Sequence, residues 1–171
     1  MFKNIILTGF MGVGKTSVGT RLAADLGYTF VDTDNLIEAD QKTTISEIFS
    51  NFGEPYFRDV EARIIRQVLE GEGQVVSTGG GAVIRDENRE AFKHAGLVVC
   101  LTAQPEVILE RIKQETHRPL LQTPDPMAKI KELLGNREKF YNQADLIIDT
   151  SNKSVDDSVR EIKEKVRYAR C

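Results

Sequence analysis

The chain has 171 residues, 40% of them apolar and 29% charged, and a net charge of −3 at pH 7. These values suit one folded domain with a substantial core, exclude a disordered chain, and argue against general attraction to nucleic acid or an anionic membrane. Cys100 and Cys171 are the two cysteines and no apolar run is long enough to span a bilayer, so neither a disulfide framework nor a membrane anchor is expected and a cytoplasmic setting fits.

The opening MFKNIILTGF carries an apolar stretch too short for a signal peptide, and it reads as a first strand, Asn4–Thr8. Val18, Leu22 and Leu26 then fall four apart, with Gly27 as a helix stop. A second strand, Thr29–Asp32, precedes a short helix at Leu36 and Ile37 and a longer stripe of Phe57, Val60, Ile64 and Val68, with Pro55 in its first turn. Gln74–Thr78, Leu97–Leu101 and Asp145–Asp149 are the remaining strands. All five are short and nearly continuously apolar, as strands covered on both faces are. Met127, Ile130, Leu134 and Tyr141 mark a helix before the last strand. Val155, Val159, Ile162 and Val166 mark another after it, where Ser154 and Asp157 have capping-box spacing. Strand and helix alternate without repeats or linkers, which predicts a single α/β domain over residues 1–171, a three-layer sandwich around a parallel sheet. The polar stretch Lys113–Pro126, KQETHRPLLQTPDP, interrupts this alternation. It is either a surface loop, with His117 in solvent, or a lid that closes over a substrate.

Gly9 to Thr16, GFMGVGKT, satisfies G-x-x-x-x-G-K-[ST] between a strand and a helix. Glycines let backbone N–H groups turn inward around phosphate oxygens, and the helix N-terminus adds positive potential. Gly12, Val13, Gly14, Lys15, Thr16 and Ser17 are the predicted ATP-binding run, with Lys15 reaching the outer phosphates and the Thr16 hydroxyl ligating Mg2+. The motif establishes nucleotide phosphate binding and leaves the phosphoryl acceptor open.

A second strand in such proteins commonly ends in an acid that helps hold magnesium, but VVSTGGG, Val75–Gly81, ends in glycines. The nearest acids at a strand end are Asp32 and Asp34. Two apart on an extended segment, they would point the same way and could divide metal holding from hydroxyl activation; alternatively, either caps the helix at Leu36. Gly79, Gly80 and Gly81 read as a surface on which a small hydroxylated or anionic ligand lies against the backbone. Arg137 falls on the apolar face of the Met127–Tyr141 pattern, where an unpaired charge is costly, so it requires an anion. Arg58 has a local partner available in Glu61, three residues on, and alone is ambiguous.

Together these motifs (GFMGVGKT, DTD at 32–34, FRDVE at 57–61, TGGGA at 78–82, RPLL at 118–121 and R-x-x-x-Y at 137–141) resemble the shikimate kinase family of bacteria and plants, over almost the whole chain. The resemblance implies a five-stranded sheet of the P-loop nucleoside-monophosphate-kinase type, with a mobile lid over residues 113–126 and a substrate-binding helical region over 33–62. It implies that Asp32 assists Thr16 with Mg2+ and that Asp34 binds ring hydroxyls and serves as base at the 3-hydroxyl of shikimate. It places Arg58, Arg137 and Gly79–Gly81 at the acceptor, Arg118 on the transferring phosphate, Arg111 beside adenine, and an adenine pocket, with Lys153, near residues 152–155. The expected reaction is ATP-dependent 3-phosphorylation of shikimate in chorismate and aromatic amino-acid biosynthesis, by a monomer without nucleic-acid or membrane partners. A gluconate or nucleotide kinase would share the phosphate loop and lid, but TGGGA together with Arg58 and Arg137 argues against it; a non-catalytic nucleotide-binding module would keep the loop but has no use for Asp34 and Arg137.

Overall fold

The apolar runs form a five-stranded, all-parallel sheet in the computed structural model, which describes residues 2–114 and 122–168. In chain order the elements are β1 (Asn4–Thr8), α1 (Lys15–Leu26), β2 (Thr29–Asp32), α2 (Thr33–Gln41), α3 (Ile45–Leu69), β3 (Gln74–Ser77), a 3-10 turn (Ala82–Ile84), α4 (Asp86–Ala95), β4 (Leu97–Thr102), α5 (Pro105–Lys113), α6 (Pro126–Tyr141), β5 (Leu146–Asp149) and α7 (Val155–Tyr168). The strand order is β2-β3-β1-β4-β5, with β1 central.

Alternation along each strand divides the core. Ile5, Leu7, Val75, Val99 and Leu101 join residues of α1, α5 and α7 on one face. Ile6, Val76, Val98 and Cys100 join Ile65 of α3, Phe92 of α4 and Tyr141 on the other. Neighbouring β1 and β3 therefore continue into helices on opposite faces, and the crevice above their C-terminal ends is where open α/β sheets receive ligands. A third cluster, Ile37, Ile48, Phe57, Val60 and Ile64, fastens α2 to α3.

The expected strands are present with small shifts at their ends. β3 stops at Ser77, where the Thr78 amide makes the last bond of the ladder, to the Leu7 carbonyl at 3.0 Å. β5 starts at Leu146, because the Asp145 carboxylate accepts from the Val98 amide at 2.8 Å. Pro55 does stand at the start of a helical segment. That segment is the second half of α3, set off by a kink at Gly53 (φ 82, ψ 170), while a reciprocal capping box of Thr44 and Glu47 opens the first half. At α7 the box is one-sided: Ser154 Oγ accepts from the Asp157 amide at 3.0 Å, while the Asp157 carboxylate takes the Ser154 hydroxyl at 2.7 Å. Helix α4 carries no apolar stripe, since its buried face is Asn88, Phe92 and Ala95. Among the described residues no helix is long and apolar enough to cross a membrane.

Candidate active site

The phosphate loop leaves the centre of the sheet with Gly9, Gly12 and Gly14 at φ values of 131°, 76° and 99°, a region L side chains rarely adopt. Two of these positions are also sterically closed. A Cβ on Gly9 would stand 2.2 Å from the Leu101 carbonyl oxygen, and one on Gly12 would stand 2.9 Å from Cγ2 of Ile112. Gly14 caps α1 without a side-chain bond, so the first N–H groups of that helix are presented to an anion, and Thr16 and Ser17 in its first turn are exposed. Buried Val13 pins the loop into the core. Lys15 folds back over the loop, its ammonium donating to the carbonyls of Gly9 at 2.7 Å and Phe10 at 2.8 Å.

Arg111, from α5, fastens the far side. Its guanidinium donates to the Gly12 carbonyl at 3.1 Å, to the Thr150 hydroxyl at 3.1 Å and to the Thr150 carbonyl at 2.8 Å. Buried Thr150 lies within hydrogen-bonding distance of the Val13 and Thr102 carbonyls as well, at 2.8 and 3.1 Å. Thr150 was not singled out from sequence; its only signal there is a threonine one step past a strand end. Lys153 stands apart from this knot, paired with Glu161 of α7. Arg118, with the rest of RPLL and His117, lies outside the described residues.

At the end of β2 the structure changes the expected placement of the acids. The chain turns helical immediately at Thr33, so Asp32 and Asp34 do not share one extended segment. Asp32 is the N-cap of α2, its Oδ1 accepting from the amides of Asp34 at 2.9 Å and Asn35 at 3.3 Å, and Asp34 sits in the first helical turn. From there Asp34 reaches the glycine turn: a Cβ on Gly79 would lie 2.9 Å from Asp34 Oδ1 and 2.8 Å from Glu61 Oε1. The space over Gly81 is equally taken, since a Cβ there would stand 2.2 Å from Nη2 of Arg58. These glycines thus make room first for the charged side chains of α2 and α3, and only the assembled surface can meet a ligand. Gly80 faces the other way. A Cβ on it would be 3.4 Å from Nη1 of Arg137 and 3.5 Å from both the Gly9 carbonyl oxygen and the Met11 amide nitrogen, which sets the turn against the phosphate loop.

Arg58 donates from Nη1 to Glu61 Oε2 at 2.7 Å and from Nη2 to exposed Glu54 at 3.3 Å. The local partner foreseen for it is real, and it is buried: the Glu61 side chain is 1% exposed, and its second oxygen, Oε1, has no hydrogen-bond partner among the described residues. Burial pushes the Glu61 carboxyl above its ordinary range, against the pull of Arg58, Arg137 and Arg85. Arg137 is half-buried over the Phe10 ring, 5.7 Å from its centroid, and makes no ion pair among the described residues. Sequence spacing marks Glu61 only as a local partner of Arg58, because only tertiary packing orphans its second oxygen.

Among the described residues no three His, Cys, Asp or Glu side chains gather as a metal cage. The oxygen donors available are the exposed Thr16 hydroxyl and the Asp32 carboxylate, whose two cap bonds both use Oδ1. So sparse a set suits magnesium that arrives with phosphates and keeps several waters.

The family model for shikimate kinase matches residues 11–167. A shikimate kinase of Thermodesulfovibrio yellowstonii is 49% identical over 164 residues, which is 96% of this chain and 92% of that protein. A shikimate kinase of Geobacter metallireducens is 49% identical over 160 residues, 94% of this chain and 89% of that one. Among solved structures, shikimate kinase from Acinetobacter baumannii in complex with shikimate superposes with a TM-score of 0.94 at 36% identity, covering 99% of this chain and 95% of that one. A gluconokinase from Sinorhizobium meliloti, at 18% identity and a TM-score of 0.59 over 98% of this chain and 97% of that one, shares the fold. With the match running from the phosphate loop into the last helix, the chain belongs to the shikimate kinase family.

Proposed function

We propose that this protein transfers the γ-phosphoryl group of ATP to the 3-hydroxyl of shikimate, giving shikimate 3-phosphate and ADP. The observation that carries the reading is the meeting of Asp34, Arg58 and Arg137 on the Gly79–Gly81 turn, with Gly80 against the phosphate loop. A hydroxylated carboxylate ligand matches that set: Arg137 and Arg58 take the carboxylate, the turn supplies backbone, and Asp34 orients and deprotonates the attacking hydroxyl. Gly12–Ser17 hold the phosphates, with Lys15 turning from the loop carbonyls to the outer phosphate oxygens. Mg2+, held by Thr16 with Asp32 through water, would neutralise charge on the phosphates when bound. Transfer is direct and needs no phospho-enzyme, because positioning and charge neutralisation supply the catalysis.

Arg111 and Lys153 belong to the nucleotide side in this reading. Arg118 completes the site from a lid over residues 113–126, and residues 33–62 form the acceptor-binding region of a single domain. The protein works as a cytoplasmic monomer. Coupled ATP consumption measured with shikimate, gluconate and nucleoside monophosphates tests the reading. Turnover with shikimate alone is expected, and comparable turnover with gluconate or a nucleotide would overturn it.

A further inference from the structure

The last residue of α6, Tyr141, is 5% exposed, and its hydroxyl donates to the Gly80 carbonyl at 2.6 Å. Arg137 stands one helical turn earlier, where its charge pulls against the effect of burial on that hydroxyl. The phenol therefore gives its proton to the glycine turn from the same helix that carries the guanidinium. Burial pushes this hydroxyl up to about 12, so it remains a donor throughout the working pH range.

The turn is braced from α4 as well. Asn88 Nδ2 donates to the Ala82 carbonyl at 2.9 Å, and Arg89 Nη1 to the carbonyls of Val83 at 2.7 Å and Ile84 at 3.0 Å. Arg89 in turn donates to Gln143 at 3.2 Å and lies over the Phe140 ring, which ties these carbonyls to the end of α6. The α4 bonds hold the residues after the glycines; the Tyr141 bond holds a glycine itself. Its ring packs with Ile6, Val98 and Cys100, which phenylalanine would fill equally well. The hydroxyl serves something other than packing.

We infer that Tyr141 is a positioning residue for the acceptor: its hydroxyl locks the glycine turn to the helix that carries Arg137, so that backbone and guanidinium form one rigid carboxylate clamp. The inference rests on the reading above that Arg137 and Gly80 face shikimate. The clamp contacts the substrate in ground and transition states alike, so its loosening is felt in KM rather than kcat.

The test is Tyr141→Phe, alone and combined with Arg137→Ala, in steady-state assays with each substrate varied. Loss of one net hydrogen bond should raise the KM for shikimate about three- to tenfold, with the KM for ATP and kcat unchanged. In the Arg137→Ala background the same change should add little, because the clamp is already open. Equal KM values with only a lower Tm mark a purely structural tyrosine and overturn the inference, as does full additivity with Arg137→Ala. If Arg137→Ala raises the KM and Tyr141→Phe does not, the tie alone is wrong. If Arg137→Ala leaves the KM unchanged, the assignment of Arg137 falls and takes the clamp with it. Should Tyr141→Phe not fold, the wild-type protein still reports. Its Tyr141 hydroxyl proton should appear by NMR as a slowly exchanging resonance that moves on adding shikimate. A resonance in fast exchange, or one indifferent to shikimate, overturns the inference.

Discussion

Replacing Arg58 with methionine should destabilise the protein in a way that grows with pH, because it strips the ion-pair partner from a carboxylate that is 1% exposed. Breaking a buried pair by removing one member costs about 3–5 kcal/mol, most of it the desolvation of the charge left behind. Arg137 and Arg85 still act on Glu61, so the lower end, about 3 kcal/mol, is expected. Against a typical domain stability of about 5–15 kcal/mol this is a large fraction. The sign follows from protonation. Burial already raises the Glu61 carboxyl above its ordinary 4.5, and loss of Arg58 raises it further. A group raised in the folded state contributes fully below its unfolded value and loses that contribution as pH climbs through the folded value. The gap between wild type and Arg58→Met should therefore be small where Glu61 is protonated in both, open as pH climbs past the raised wild-type value, and level off above the variant's still higher one. Urea unfolding followed by circular dichroism across that range measures the gap directly. A penalty equal at every pH would show that Glu61 is not its source and refute the reasoning.

Asp34→Asn should lower kcat by about 10²–10⁴-fold while leaving ATP affinity intact, as read by turnover and by nucleotide titration; loss of ATP binding instead would move Asp34 to the nucleotide site. Arg137→Ala should raise the KM for shikimate about 10–150-fold, the equivalent of one charge-assisted hydrogen bond. Since Arg137 makes no ion pair among the described residues, its thermal unfolding without ligand should match wild type, and unfolding of the variant would mean that the fold itself supplies its anion. Gly81→Ala should push the Arg58 guanidinium out of place, because the new Cβ would stand 2.2 Å from Nη2, and the KM for shikimate should rise with little change in that for ATP. Lys15→Met should abolish phosphoryl transfer in a folded protein, checked by turnover beside circular dichroism.

The strands and the phosphate loop were legible because their signals are local: continuous apolar runs for buried strands, and a fixed spacing of glycine, lysine and hydroxyl between a strand and a helix. Helix α4 was not, since a helix buried through Asn88, Phe92 and Ala95 leaves no stripe to count. Of the two readings the spacing allows for the aspartates, one extended face or a helix cap, the structure takes the second for Asp32, which starts the helix that carries Asp34 away. Likewise the three glycines announced a close approach but not by what. Only the packing of α3 against the turn shows Arg58 and Glu61 occupying that space. Glu61 and Thr150 look ordinary in sequence, because an orphaned oxygen and a buried hydroxyl knot are properties of tertiary contacts.

The sheet order has a bearing on how such proteins diverge. The acids and Arg58 ride on the excursion that leaves β2 and returns to β3, at one side of the sheet, whereas the phosphate loop, Arg111 and Thr150 belong to β1, β4 and β5. On the proposed roles, a lineage can rewrite that excursion and exchange what it phosphorylates while the half assigned to the nucleotide stays under unchanged selection. Arg137, which the proposed function sets against the acceptor, is the exception, on a helix between β4 and β5. Any descendant that abandoned carboxylate acceptors would have to shed it separately, so its loss or retention should mark, among relatives of this fold, which of them crossed to a different substrate.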